Sequence, residues 1–353
     1  MKDRLDWKGK WSGRVAASAV FVALLSVPFW ASEYDVVLVS RVLCFAILAL
    51  SMDLLWGYSG LLSFGHGAFF GMGAYLFGLT LKYLSFTGIA YVGILIGVLG
   101  PMLVAAIVGY FLFYGRVSGI YFGIITLALT LICQSLVNHP DAFYITGGQN
   151  GLYGSFLTPK YGIPFLWEYK RTIRSNFANY YTAMAGFVLA FIFCRGLVKS
   201  FFGKILRAIK NNEERLEFLG YNVANYKIAI FCVACGLAGF AGSLSVPIYF
   251  IGPTVFGLIF STSVVIWVAV GGRGTLLGPV IGTLLVTYVE SWLSTQFQEM
   301  WELFMGTFFV LVIIFQPDGI MGLVARLNLS RSSVKSINGR QVQSGSPRPE
   351  GNG

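Results

Sequence analysis

The stretch that decides the fold is DLLWGYSGLLSFGHGAFFGMGAY, which runs from Asp53 to Tyr75. It is apolar, carries glycine at short intervals, and contains one histidine, His66. Each glycine weakens an isolated helix by roughly 1 kcal/mol relative to alanine. The segment therefore needs neighbours that approach its backbone closely, or it contains a break in the helix. It is typical of a membrane protein that moves a solute, with helix packing alone as the simpler interpretation.

The composition of the whole chain excludes a soluble globular protein. Hydrophobic residues make up 56% of the 353 residues and charged residues only 11%, and the mean hydropathy is +0.72. About 17 to 25 apolar residues suffice to cross a bilayer as a helix. Such stretches can be placed at residues 15–31, 36–56, 60–81, 89–114, 119–137, 179–195, 226–248, 256–271, 275–294 and 302–317. The sequence predicts an all-α, polytopic membrane bundle of about ten transmembrane helices (8–10), some of them short or broken.

The lysines and arginines predict the orientation, because short cytoplasmic loops collect positive charge. With both termini in the cytoplasm, 19 of the 25 lysines and arginines lie on that side. We therefore expect a multi-pass protein of the bacterial plasma (inner) membrane with both termini cytoplasmic. The net charge of +10 follows from this bias and from attraction to anionic lipid. The lipid bilayer is thus an expected partner and nucleic acid is not.

Polar segments divide the chain. We expect a cytoplasmic N-terminus at 1–14, a transmembrane domain at 15–323 and a disordered, basic cytoplasmic tail at 324–353. An external segment at about 138–178 has the prolines and aromatics of a structured cap or docking surface, with a plain loop as the alternative. A second polar segment, at about 195–225, is expected in the cytoplasm.

Two short motifs resemble each other. GYSGLL at 57–62 and GGRGTL at 271–276 both follow an apolar stretch, and the predicted topology places both at the cytoplasmic mouth of a span. Two repeats of the same orientation would produce such a pair, and a chance match in a glycine-rich chain is the alternative.

Polar residues inside predicted spans are candidates for a solute path, because they are costly in lipid and face inward. Thr126, Thr130 and Gln134 follow one another at i, i+4 and i+8 and share one stripe of a helix. Ser63 and His66 lie about one turn apart in the opening stretch. The alternatives are that the threonines bond their own helix carbonyls and that the histidine is a packed structural residue.

Four further residues belong to the predicted path. Asp53 lies near the end of one span, where it is either solvated or paired, and Glu290 interrupts another span. Gly148 and Asn150 lie in TGGQNGL, a run whose chemistry indicates a tight external turn that could also shape entry. A neutral solute needs only hydroxyl, amide and backbone groups, whereas a zwitterion would need paired charges.

The cytoplasmic segment contains ILRAIKNNEERLEFLGYN. Its isoleucines and leucines recur at helical spacing, which predicts an amphipathic helix that ends at Gly220. Such a coupling helix could insert Ile and Leu anchors into a groove of a cytoplasmic partner; a helix lying on lipid is the alternative.

A family resemblance joins these features. Glu214 and Gly220 are similar to the Glu and Gly of the coupling loop of bacterial ABC-importer permeases, although Arg215 and Leu216 replace the usual alanines. LLWGYSGLLSFGHGAFFGMGAY, SGIYFGIITLALTL, TGGQNGL, RAIKNNEERLEFLGYN and WVAVGGRGTLLGPVIGTLL resemble, in this order, the permeases of branched-chain amino acid and urea importers. The resemblance covers roughly residues 38–323 and is strongest to the urea-type permease C subunit.

The resemblance implies a permease that works with a second homologous permease, two cytoplasmic ATP-binding subunits and an extracytoplasmic solute-binding protein. The implied cargo is urea, with branched-chain or other amino acids or short amides as the alternative. The residues implied in coupling to the ATPase are Arg207, Ile209, Asn212, Glu214, Leu216 and Gly220. No enzyme activity, cofactor or metal is expected, because the chain has no G-x-x-x-x-G-K-[ST] loop and no H-E-x-x-H motif.

Two other classes of protein are alternatives for this chain. A self-sufficient channel or ion-coupled carrier would carry charge pairs in its spans, for which only Asp53, Glu290 and Arg41 are candidates. An intramembrane serine enzyme would need an acid to orient its base, and Ser63 has only His66 nearby.

Overall fold

The computed structural model describes residues 25–84, 88–117, 119–151, 172–249, 251–297, 300, 303–304, 306–307, 310–311, 314 and 319–322. The predictions for residues 1–14 and 324–353 lie outside the described residues, as do most of the first predicted span and residues 152–171 of the external segment.

The described residues form helices and connecting turns, without a β-strand among them. The helices are α1 (Glu33–Asp53), α2 (His66–Tyr83), α3 (Ile89–Tyr114), α4 (Ile120–Asn138), the short α5 (Phe143–Thr146), α6 (Thr172–Lys199), α7 (Phe201–Asn211), α8 (Glu213–Phe218), α9 (Val223–Ser245), α10 (Leu258–Gly271) and α11 (Leu277–Gln296). The predicted all-α class is confirmed. The predicted apolar stretches between residues 36 and 294 each coincide with one of these helices.

Five helices in the described ranges are long and apolar enough to cross a membrane by themselves: Glu33–Tyr58, Ile89–Tyr114, Ile120–Asn138, Phe177–Lys199 and Val223–Ser245. The apolar helix α10 has only 14 residues, about 21 Å of rise. It is one of the short helices that the sequence predicted.

Glycines let three helices cross in close contact at the centre of the bundle. A Cβ on Gly73 of α2 would lie 2.2 Å from the carbonyl oxygen of Gly239 of α9, and one on Gly239 would lie 2.3 Å from that of Gly97 of α3. Ser243 of α9 donates its hydroxyl proton to the carbonyls of Gly73 (3.2 Å) and Gly239 (3.0 Å). The glycines of the opening stretch therefore serve close backbone approach, which is one of the two predicted uses.

Polar side-chain contacts between helices also occur at both ends of the bundle. At the end that holds α7, the Tyr114 hydroxyl donates to Asn225 Oδ1 at 2.9 Å. At the opposite end, the hydroxyls of Tyr34 and Ser291 lie 3.2 Å apart and Asn179 Nδ2 donates to the Pro247 carbonyl at 2.9 Å. The two groups of contacts define two opposite ends of the bundle.

The prediction of a single amphipathic helix before Gly220 is wrong in one respect, because the structure has two helices there. Asn212 has φ −161° and ψ 103°, ends α7, and caps α8 by accepting from the Arg215 amide. Gly220 has a φ of 87° and follows α8 as expected of a C-terminal glycine. Ser200 caps α7 by accepting from the Gly203 amide.

Candidate functional site

The opening stretch contains a true break between α1 and α2. After α1 the chain makes one π-helical turn, Leu54–Tyr58, and residues 60–65 are not helical. Gly60 has a φ of 80°, which L side chains rarely adopt. The sequence predicted this break as a possibility, and π turns are frequent at functional sites.

Asp53 lies at the end of α1 and is completely buried. One carboxylate oxygen accepts the Gly274 amide at 2.5 Å and the other accepts the Leu276 amide at 3.2 Å. Leu276 is the residue before α11, and its φ of 57° is unusual for a residue with a side chain. Asp53 therefore supplies acceptors to the positive N-terminal end of α11. It is neither solvated nor free to contact a solute, so the structure favours a positioning role over the predicted path role.

The two resembling motifs meet at this point. A Cβ on Gly57 would lie 2.5 Å from the Gly274 nitrogen and 2.2 Å from Oδ1 of Asp53. Gly319 closes the other side of the second motif, because a Cβ there would lie 2.5 Å from the Cα of Gly272. We call residues 53–60 with residues 272–276 the helix-break junction. The sequence predicted that both motifs lie at one end of the bundle but not that they touch.

Helix α7 packs directly on this junction. Lys210 Nζ donates to the Gly57 carbonyl at 2.6 Å, and the Arg207 guanidinium lies 5.5 Å from the centre of the Tyr58 ring. Arg207 also donates to the Val198 carbonyl at 3.1 Å. Burial lowers the pKa of Lys210 and the charge of Arg273 lowers it further, whereas Asp53 acts in the opposite direction. Sequence reasoning missed Lys210, although it follows Arg207 at i+3 on the same helix face.

The predicted anchors of the coupling segment point the other way. Ile205, Ile209 and Leu216 are buried in the protein's own core, so they are not available to a partner. Of the predicted anchors, only Leu219 is exposed (69%), and the other exposed apolar side chains of the segment are Phe218 (90%) and Phe201 (66%). Helical spacing identified an apolar face correctly but could not tell that the bundle itself covers it.

The charged residues of α8 also differ in exposure, because one contacts the bundle and others are exposed. Lys227 of α9 is buried and donates to Glu213 at 2.5 Å, which ties α8 to the bundle. Glu214, Arg215 and Gly220 are exposed. Asn212, a predicted coupling residue, acts as the cap between α7 and α8.

The threonine stripe of α4 makes mostly internal bonds. Thr126 and Thr130 are buried, and each donates to carbonyls of its own helix, with Thr126 contacting those of Phe122 (3.0 Å) and Gly123 (2.9 Å). Thr126 also accepts the Phe64 amide at 3.2 Å, which fixes the break in the opening stretch to α4. Gln134 is only partly buried. These contacts favour the simpler alternative for the two threonines.

Ser63 and His66 are buried in and after the break. Ser63 Oγ accepts the Gly65 amide at 3.1 Å, as a local turn does. His66 begins α2, and neither of its ring nitrogens makes a hydrogen bond of ordinary geometry among the described residues. The Ser51 backbone interacts with the ring.

The TGGQNGL run forms the tight turn that its composition predicted. Gly147 and Gly148 have φ of 78° and 53°, and the Asn150 amide donates to the Gly147 carbonyl at 3.1 Å. The Thr146 hydroxyl donates to the Val137 carbonyl at 3.0 Å and holds the turn against α4. Gly148 is buried and Asn150 is exposed.

Glu290 of α11 lies in a different part of the bundle from the junction. It is partly buried and interacts electrostatically with Arg41 of α1 and with Tyr249. Among the described residues, no three His, Cys, Asp or Glu side chains are grouped so that they could hold a metal ion.

Comparison with known proteins gives the family. The profile described as "Branched-chain amino acid transport system / permease component" matches residues 36–313. The chain belongs to this family. Its resemblance to the urea-type branch finds no support in the relatives that match.

Curated relatives agree with this family. The high-affinity branched-chain amino acid transport system permease protein LivM of Escherichia coli K12 is 28% identical over 347 residues, which cover 91% of this chain and 76% of LivM. LivH of Salmonella typhimurium is 22% identical over 298 residues, which cover 79% of this chain and 91% of LivH. BraD of Pseudomonas aeruginosa is 21% identical over 289 residues, with coverage of 79% and 91%. No solved structure matches the chain.

Proposed function

We propose that this chain is the transmembrane subunit of an ATP-driven importer whose cargo is a branched-chain aliphatic amino acid. The observation that carries the proposal is the family match over residues 36–313, together with relatives that are named as branched-chain amino acid permeases. These relatives favour the amino acid, which was the sequence-based alternative, over urea.

A second, homologous permease is part of the proposal. LivM and LivH of Escherichia coli K12 are two permease proteins of a high-affinity branched-chain amino acid transport system, and both are similar to this chain. A chain similar to both is suited to pair with a homologue. Two ATP-binding subunits and an extracytoplasmic binding protein complete the proposed assembly, with the α7 end of the bundle in the cytoplasm.

The exposed tip of α8 is the proposed contact for an ATP-binding subunit. Phe218 and Leu219 present apolar surface, and Glu214 and Arg215 flank them with charge. Apolar residues with a charged rim are typical of a docking surface. The Glu213–Lys227 ion pair holds α8 to α9, so a push on the tip is transmitted to the bundle.

The helix-break junction is the proposed receiver of that push. Lys210 links α7 to the Gly57 carbonyl, and Asp53 links the end of α1 to the start of α11. Displacement of α7 therefore acts on the ends of two helices at once. In transporters, discontinuous helices form the substrate site, so displacement of these helix ends is expected to act on the solute path.

The test is uptake by the assembled complex in proteoliposomes with its solute-binding protein. Labelled leucine should enter only with internal ATP, and urea should not. Replacement of Phe218 and Leu219 by alanine should weaken capture of the ATP-binding subunits at least tenfold, whereas Phe29→Ala, which removes an 81% exposed ring at the opposite end, should not. Leucine uptake without ATP-binding subunits, or binding and uptake of urea instead of leucine, would contradict the proposal.

A further inference from the structure

A charged and aromatic cluster lies between α1, α10 and α11, away from the helix-break junction. Its charged members are Arg41 and Glu290. Its rings are Phe45, Tyr249, Phe260 and Trp267. The centre of the Phe45 ring lies 5.0 Å from that of Trp267 and 5.6 Å from that of Phe260.

The two charged side chains of this cluster do not form an ion pair with each other. Arg41 and Glu290 interact electrostatically, yet no nitrogen–oxygen pair between them lies within the 4.0 Å of an ion pair. The buried Nε of Arg41 has no hydrogen-bond partner among the described residues. A buried donor without a partner destabilises the free protein. A charged residue in a membrane helix is expected to serve a function.

The rings around Arg41 define the rest of the cluster. The guanidinium lies 5.9 Å from the centres of both the Phe45 and the Tyr249 rings. Tyr249 and Phe260 are partly exposed, as are Arg41 and Glu290. The cluster therefore combines a cation, an anion and apolar ring surface, each of them partly exposed.

We infer that this cluster is a binding site for the zwitterionic head and aliphatic side chain of the cargo amino acid. The guanidinium of Arg41 is suited to bind the α-carboxylate, because its donors match a carboxylate in geometry and charge. Glu290 binds the α-ammonium, and the partly exposed rings of Tyr249 and Phe260 contact the side chain. Paired charges of this kind suit a zwitterion, whereas neutral urea requires none.

The position of the cluster fits an entry site. Arg41 follows Tyr34 by seven residues along α1, a rise of roughly 10 Å, and Tyr34 lies at the end opposite α7. In the proposed orientation this is the outer part of the bundle, where cargo arrives from the binding protein. The inference rests on the proposed function for its orientation and cargo class.

The experiment is equilibrium binding of tritiated leucine to the purified permease complex without its binding protein, followed by uptake in proteoliposomes. Glu290→Gln and Arg41→Gln should each weaken leucine binding at least tenfold. Glu33→Gln, which removes an exposed carboxylate of α1, is the matched control and should bind as the wild type does. Leucinamide, which lacks the carboxylate, and N-acetylleucine, which lacks the ammonium, should compete at least tenfold less well than leucine.

The outcomes separate the two proposals. A wild-type complex that imports leucine while Glu290→Gln and Arg41→Gln bind it as the control does would overturn the site but not the function. A wild-type complex that imports no branched-chain amino acid would overturn the function itself. If the neutral variants do not assemble, Arg41→Lys provides the test, because lysine keeps the positive charge but lacks the planar donors of the guanidinium. Unchanged leucine binding by this variant would overturn the site.

Discussion

Substitution of Gly57 by alanine tests the helix-break junction most directly. The new Cβ would lie 2.2 Å from Oδ1 of Asp53 and 2.5 Å from the Gly274 nitrogen. Neither is the far end of a flexible chain, because the carboxylate is held by two amides. Overpacking of this kind costs about 1–3 kcal/mol, and displacement of a hydrogen bond to a charged group adds about 1.5–3 kcal/mol. We expect a loss of about 3 kcal/mol, near the lower end of the sum of these two ranges.

Thermal unfolding in detergent measures this loss. The buried thiols of Cys44, Cys194 and Cys235 become reactive to a fluorescent maleimide when the bundle opens. At about 2 °C per kcal/mol for a chain of this size, Gly57→Ala should lower the unfolding midpoint by about 6 °C. Gly196→Ala is the matched control, because a Cβ there meets nothing within 4 Å and alanine favours the helix. Equal midpoints for the two variants would refute the close contact between the motifs.

The remaining predictions use the same assay and ATP-driven uptake. Asp53→Ala leaves two buried amides without acceptors, at about 1–3 kcal/mol each, so its midpoint should fall further than that of Asp53→Asn, which keeps one acceptor; the reverse order would contradict the bonding described. Lys210→Met removes the link from α7 to Gly57 and should reduce leucine imported per ATP hydrolysed at least fivefold, whereas unchanged stoichiometry would argue against the link. Burial and the charge of Arg273 lower the pKa of Lys210 in the folded protein below its ordinary value of 10.5. Between these two pKa values the unfolded chain binds more protons than the folded protein, so the stability of the wild type relative to Lys210→Met should rise as the pH rises toward 10.5. A stability difference that falls over this range would contradict the lowered pKa. Gly239→Ala, whose Cβ would lie 2.3 Å from a carbonyl of α3, should lower the midpoint by several degrees, and a neutral result would show that α9 can shift away.

The helices of this protein could be predicted from its sequence because apolar length is a direct consequence of bilayer thickness. The break in the opening stretch was also predictable, since glycine at short intervals favours a break or close packing. The structure has both, with close packing at Gly73 and the break around Gly60. These properties depend on local composition, which a sequence displays.

Properties that depend on distant partners were predicted poorly. Spacing showed that Ile209 and Leu216 share an apolar face, but only the packed bundle shows that this face is buried. From the sequence, Asp53 was interpreted only as a polar residue in a span, because its two amide partners lie more than 200 residues away. One local signal was available and missed: Asn212 followed by two glutamates is typical of a helix start, and it marks the division between α7 and α8.

The bond between Asp53 and Gly274 has a consequence for biosynthesis. Its partners are 221 residues apart, so α1 is made and inserted long before the residues that complete it. Until residues 274–276 arrive, the nascent chain carries a carboxylate at the end of an apolar helix with neither amide bonded to it. Contacts of such sequence separation form late in folding. The junction therefore closes only after residues 274–276 have been made, and a chain truncated before them leaves the Asp53 carboxylate without either of its amide partners.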